Sequence, residues 1–81
     1  MSSLKELRNL SSSEVERILI KAGFRLRDQR GSHRQFVGII GGEEHRVTVM
    51  AKQKSYNPGT LKSMIQQSGL SEEEWVTLKR S

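Results

Sequence analysis

The chain has 81 residues and a mass of 9.2 kDa, room for one domain with one small core. Fourteen Lys and Arg against nine Asp and Glu give a formal charge of +5 and a pI near 10.1. The absence of cysteine excludes disulfides, thiolate metal sites and thiol nucleophiles, and no apolar run is long enough for a membrane-spanning helix. The opening Met1-Ser2-Ser3-Leu4-Lys5-Glu6 lacks the apolar stretch of a secretory signal. The expectation is a single cytoplasmic domain over 1–81 with an anionic partner.

The excess charge is segregated. Residues 1–16 and 63–81 each carry a net −1, whereas residues 17–62 hold ten basic side chains against Asp28, Glu43 and Glu44, a net +7. A central basic field between near-neutral ends is the footprint of a nucleic-acid binder, against the plainer alternative of a solubilising surface.

Leu4, Leu7 and Leu10 read as a short leading turn or as residues packed against the first helix. Ser13 and Glu16 have the spacing of a capping box for that helix, and Val15, Ile18, Leu19 and Ala22 form its buried stripe. Gly23 is placed to stop it in the left-handed conformation, with Phe24 folding back over the last turn. Phe24, Leu26 and Asp28 then alternate with Arg25, Arg27 and Gln29, a half-buried strand with a basic outer face. Gly31-Ser32 makes a tight connection to a second strand, His33 to Ile40, with Phe36 and Ile40 on one face and His33, Gln35, Val37 and Ile39 on the other. Gly41-Gly42 supplies a hairpin turn, and Arg46 to Met50 is a third strand.

After a polar loop, Pro58 suits a helix first turn, with Asn57 or Thr60 as its cap. Leu61, Met64 and Ile65 form the stripe of this second helix, and Gly69 ends it. Ser71 with Glu74 is another capping box, and Leu70 with Trp75 a hydrophobic staple, so a short third helix begins near Glu72. The predicted fold class is α+β, in the α-β-β-β-α order of double-stranded RNA-binding folds. Two helices pack on one face of a three-stranded antiparallel sheet, with a short C-terminal helix added.

The run Ala22-Gly23-Phe24, then Arg30-Gly31-Ser32-His33, then Pro58-Gly59-Thr60-Leu61-Lys62-Ser63, then Gly69-Leu70-Ser71 resembles the HicA toxin family. The likeness spans roughly residues 10–76, and Gly-Ser-His before a strand is its most distinctive part. It departs at Met50-Ala51-Lys52-Gln53, where many members carry a proline and a second histidine. The resemblance implies a double-stranded RNA-binding-like fold and a toxin that cleaves mRNA without metal or other cofactor. It also implies a HicB-like antitoxin as partner, and one essential histidine, which maps onto His33.

Read from the residues themselves, an exposed histidine on a Gly-Ser turn among arginines can exchange a proton near neutrality. It could take the proton of a ribose 2′-OH or give one to the departing 5′-oxygen. The products would be a 2′,3′-cyclic phosphate and a 5′-hydroxyl. Arg25, Arg27, Arg30, Ser32 and Arg34 are the candidate phosphate contacts of the strands, joined by Lys52, Lys54 and Lys62 around the start of the second helix. His45 reads as an exposed turn-flanking residue, and two histidines without clustered carboxylates make no metal site. Trp75 and Phe36 read as core, and Tyr56 as the one aromatic free to stack on a base. Two other readings stand beside the nuclease: a non-catalytic RNA-binding module of the same fold, and a protein-interaction domain with an acidic partner.

Overall fold

A computed structural model describes residues 5–81. Its elements are α1 (Ser12–Lys21), β1 (Arg25–Arg30), β2 (His33–Ile40), β3 (Glu43–Met50), α2 (Pro58–Ser68) and α3 (Glu72–Arg80). The strands form one antiparallel sheet in the order β1-β2-β3. This is the expected α+β, double-stranded RNA-binding-like architecture, with helices on one face of the sheet.

Alternation along β2 and β3 divides the sheet. Phe36, Val47 and Val49 point to the helices and are buried with Val15, Ile18 and Leu19 of α1 and Leu61, Met64 and Ile65 of α2. Gly38 shares that face. A Cβ there would lie 2.7–2.9 Å from the Phe24 ring, so the bare backbone is the space into which Phe24 folds. Leu7 and Leu10 are both buried in the same core, while Leu4 lies outside the described residues.

Three local expectations change. The first capping box uses Ser11 and Glu14: the serine run offers that spacing twice, and the bonds of Ser12 to Gln53 fix the helix start at Ser12, which makes Ser11 the cap. Ser12 and Glu16 are thereby released for tertiary contacts. In β1 the register slips between Leu26 and Asp28, a bulge at Arg27, so the period-2 alternation fails and every residue of the strand is exposed. β3 begins at Glu43, since the two-residue Gly41-Gly42 turn brings Glu43 directly opposite Ile40.

The second helix is capped by Asn57, whose Oδ1 accepts the Thr60 N–H at 2.8 Å, and ends at Gly69 with φ 75°. Ser71 and Glu74 form the expected box for α3. Trp75 is wholly buried, and its indole N–H donates to Ser68 Oγ at 3.0 Å inside the core. Ser68 in turn donates to the Ile65 carbonyl at 2.6 Å and accepts the Leu70 N–H at 3.1 Å.

Candidate functional site

His33 opens β2, directly after the Gly31-Ser32 turn, where Gly31 takes φ 57°. Its cross-strand neighbours are Arg30 on β1 and Met50 on β3. Paired residues share a face, so these three form one row on the side of the sheet away from the helices. The next row is Asp28, Gln35 and Thr48, and the next is Arg25, Val37 and Arg46. His33 is exposed, as are Arg25, Arg30 and Arg46. The open face thus carries an imidazole and three guanidiniums on a three-stranded sheet.

Two of those cations have acidic company. Arg30 stands 3.8 Å from Asp28 and Arg46 3.6 Å from Glu44, both pairs well exposed. Such pairs are worth little in water and yield readily to a phosphate. Ile39, 64% exposed, and Met50 add apolar surface to the same face. Arg46 is not among the residues that sequence reasoning selects. Its signal is present once the register is known, because it pairs with Val37 in the row of Arg25.

The remaining expected residues are divided. Arg27 is exposed at the bulge and Ser32 is exposed in the turn. Lys52 and Lys54 are exposed in the β3–α2 loop, and Lys62 on the first turns of α2. Arg34 lies on the opposite face of the sheet from His33, against α1, in a groove that Lys52 also lines. Its Nη1 donates to both carboxylate oxygens of Glu16, at 2.8 and 3.0 Å, on the helix side of the sheet. The guanidinium lies 5.9 Å from the Phe36 ring centroid, and Arg34 Nε is buried without a hydrogen-bond partner among the described residues.

Two aromatic or imidazole residues differ from expectation. Tyr56 is half-buried against the core and its hydroxyl donates to the Met50 carbonyl at 2.6 Å, so it is not free to stack. Burial pushes its phenol above the ordinary value, which keeps the hydroxyl a donor. His45 is half-buried rather than exposed, because it pairs with Gly38 on the helix face and its ring lies against Gly69. Among the described residues no group of three or more His, Cys, Asp or Glu side chains could hold a metal ion. No helix there is long and apolar enough to cross a membrane.

The class these features define is an α+β fold of the double-stranded RNA-binding kind, with a basic sheet face that carries a histidine at a strand start. The comparison with protein families agrees: the family described as HicA toxin of bacterial toxin-antitoxin matches residues 12–70. That is more than half of the chain, and the chain belongs to the HicA toxin family. Membership assigns it the toxin side of a toxin–antitoxin module and implies a HicB-type antitoxin as its partner. No curated protein matches the chain significantly.

Proposed function

We propose that this toxin is a metal-independent endoribonuclease acting on mRNA, with His33 as its acid–base group. The observation that carries this reading is the row Arg30-His33-Met50 at the end of an open sheet face. An exposed imidazole beside a guanidinium unites a proton acceptor with a phosphate ligand within one cross-strand spacing. His33 takes the proton of the ribose 2′-OH as the 2′-oxygen bonds to phosphorus. The phosphorus–5′-oxygen bond then breaks, and the 5′-oxygen takes a proton from the imidazolium or from water. A 2′,3′-cyclic phosphate and a 5′-hydroxyl result.

Arg25, Arg27 and Arg30 supply backbone contacts, with Ser32, Lys52, Lys54 and Lys62 and with Arg46 added from the register. Arg34 belongs to this set by sequence, but its pairing with Glu16 fits a role in holding β2 to α1 better. The test is cleavage of a long mRNA in excess EDTA by the wild type and by His33→Ala, with product ends identified. Cleavage by the wild type alone, leaving cyclic phosphate ends, is the expected result. Binding without cleavage by the wild type would favour the non-catalytic RNA module. Loss of cleavage in EDTA restored by Mg²⁺ would overturn the metal-independent scheme.

A further inference from the structure

Lys52 stands at φ 62°, in the left-handed region. Asn9 is the other non-glycine residue found there among the described residues. A short amide tolerates that conformation through local hydrogen bonding, whereas a lysine side chain gains nothing from it. Yet the backbone on both sides of Lys52 is fixed. The Ala51 N–H donates to the Ser32 carbonyl at 2.7 Å, in the turn that precedes His33. Gln53 exchanges two bonds with Ser12 at the start of α1: its N–H reaches Oγ at 3.3 Å, and its carbonyl accepts the Ser12 N–H at 2.9 Å. The Tyr56 hydroxyl closes the loop onto the Met50 carbonyl. Strain of this kind persists only where the surroundings over-determine it, and it concentrates at ligand sites.

The Lys52 side chain, on a backbone held in this way, lines a groove between α1 and the end of the β1–β2 hairpin, with Ser13, Arg17, Lys21 and Gln29. The other cations of the groove are engaged. Arg17 donates to the Lys79 carbonyl at 3.3 Å, Lys21 is bonded to Ser81, and Arg34 to Glu16. Lys52 has no hydrogen-bond or ion-pair partner among the described side chains. It lies two residues beyond Met50, the cross-strand partner of His33, and therefore at the same end of the sheet.

We infer that Lys52 is the fixed phosphate anchor of the site. Its ammonium holds the phosphate adjoining the one at His33, on the length of RNA that leaves the open face and crosses the sheet end into the groove. The inference rests on RNA being the substrate, as proposed above. A compact ammonium suits a single non-bridging oxygen, and a backbone already fixed spends no ordering entropy when RNA arrives.

The experiment uses a fluorescent 2′-O-methyl uridine dodecamer, which binds but has no free 2′-OH to attack. Affinity is measured against salt for the wild type, Lys52→Gly and Lys54→Gly. Glycine relieves the left-handed strain, so Lys52→Gly is expected to melt at or above the wild type, and misfolding cannot explain a loss of binding. Its affinity should fall about tenfold at low salt, as for one charge-assisted contact. Its log–log salt slope should shrink by about 0.7, while Lys54→Gly loses less of both. Unchanged affinity and slope in Lys52→Gly, or equal losses in the two variants, would overturn the inference. A wild type that leaves natural RNA intact but shows the Lys52-dependent slope removes the nuclease reading and leaves the anchor standing.

Discussion

Arg34 and Glu16 join the two elements that frame the site: one Nη1 bridges both carboxylate oxygens, linking the residue after His33 to the middle of α1. Their side chains are only 29% and 14% exposed, so the pair is partly desolvated and each partner depends on the other. Removing one leaves a buried charge alone. Glu16→Gln and Arg34→Met should each lower unfolding free energy by about 2 kcal/mol, the discounted cost of breaking a half-buried pair. Urea denaturation measures that cost. The RNA salt slope should be unchanged by Arg34→Met and reduced by Arg30→Met. Equal slope losses would place Arg34 back among the phosphate contacts.

Legibility in the sequence depends on range. The Ser71–Glu74 box, the Gly69 stop and the stripes of α1 and α2 are local, and each is legible from residues within two turns. The serine run before α1, in contrast, offers two boxes of equal spacing, and the local reading picks the wrong one. The open-face position of His33 is legible too, because alternation along β2 is undisturbed. The same alternation puts Arg34 on the helix face, but its ion pair is not legible, since nothing local marks Glu16, eighteen residues away, as its counter-ion. Arg46 is missed because its place in the row of Arg25, across Val37, exists only through two registers, one of them shifted by a bulge. Tyr56 reads as a loop residue until the Met50 carbonyl is brought beneath its hydroxyl.

The buried bond between Ser68 and Trp75 fastens α3 to the end of α2. Ser68 is fully buried and uses its hydroxyl three ways, so its loss strands an indole N–H and a backbone N–H together. Ser68→Ala should cost about 2 kcal/mol, the desolvation penalty of unmet buried donors. Trp75→Phe should cost a similar amount, and the double variant less than the sum of the two. Additive losses in a denaturation cycle would mean that the two side chains act independently.

Gly38 is needed for space. A methyl group there would meet three atoms of the Phe24 ring at under 3.0 Å, and that ring is packed within the core. Gly38→Ala should therefore cost about 1–3 kcal/mol as overpacking. Phe24→Leu, introduced with it, should recover part of the loss by removing the ring. A melting temperature for Gly38→Ala equal to wild type would show that Phe24 can move aside.

The cap of α1 should give a pH signature. The Ser11 N–H donates to Glu14 Oε1 at 3.1 Å, and this bond holds the Glu14 carboxyl below its ordinary 4.5 against the opposing effect of burial, with the Ser11 hydroxyl adding to it. A carboxylate lowered in the folded state adds stability that is complete above the unfolded value. That stability is lost as pH falls through the lowered one. The melting-temperature gap between wild type and Glu14→Ala should thus be widest near neutrality and narrow in acid. A gap that stays constant from pH 7 to pH 3 would remove the charge of Glu14 from the capping energy.

The antitoxin partner should meet the same open face that the RNA reading uses. Arg25, Arg30 and Arg46 surround His33 and Val37 on the open face, with Ile39 exposed beside them. An acidic protein surface laid there would keep RNA from His33 by occupation alone, with no change of shape in the toxin. Long-range attraction governs how fast such partners meet and is screened over about 8 Å at physiological ionic strength. Buried apolar contacts govern how long they stay together. Reversal of Arg25, Arg30 and Arg46 to glutamate should therefore slow association strongly and abolish its salt dependence. Ile39→Ser should leave association nearly unchanged and speed dissociation instead. Stopped-flow mixing with the antitoxin separates the two rates. Association unaffected by the triple reversal would place the antitoxin on another surface, and an antitoxin complex that still cleaves RNA would exclude occlusion as the means of neutralisation.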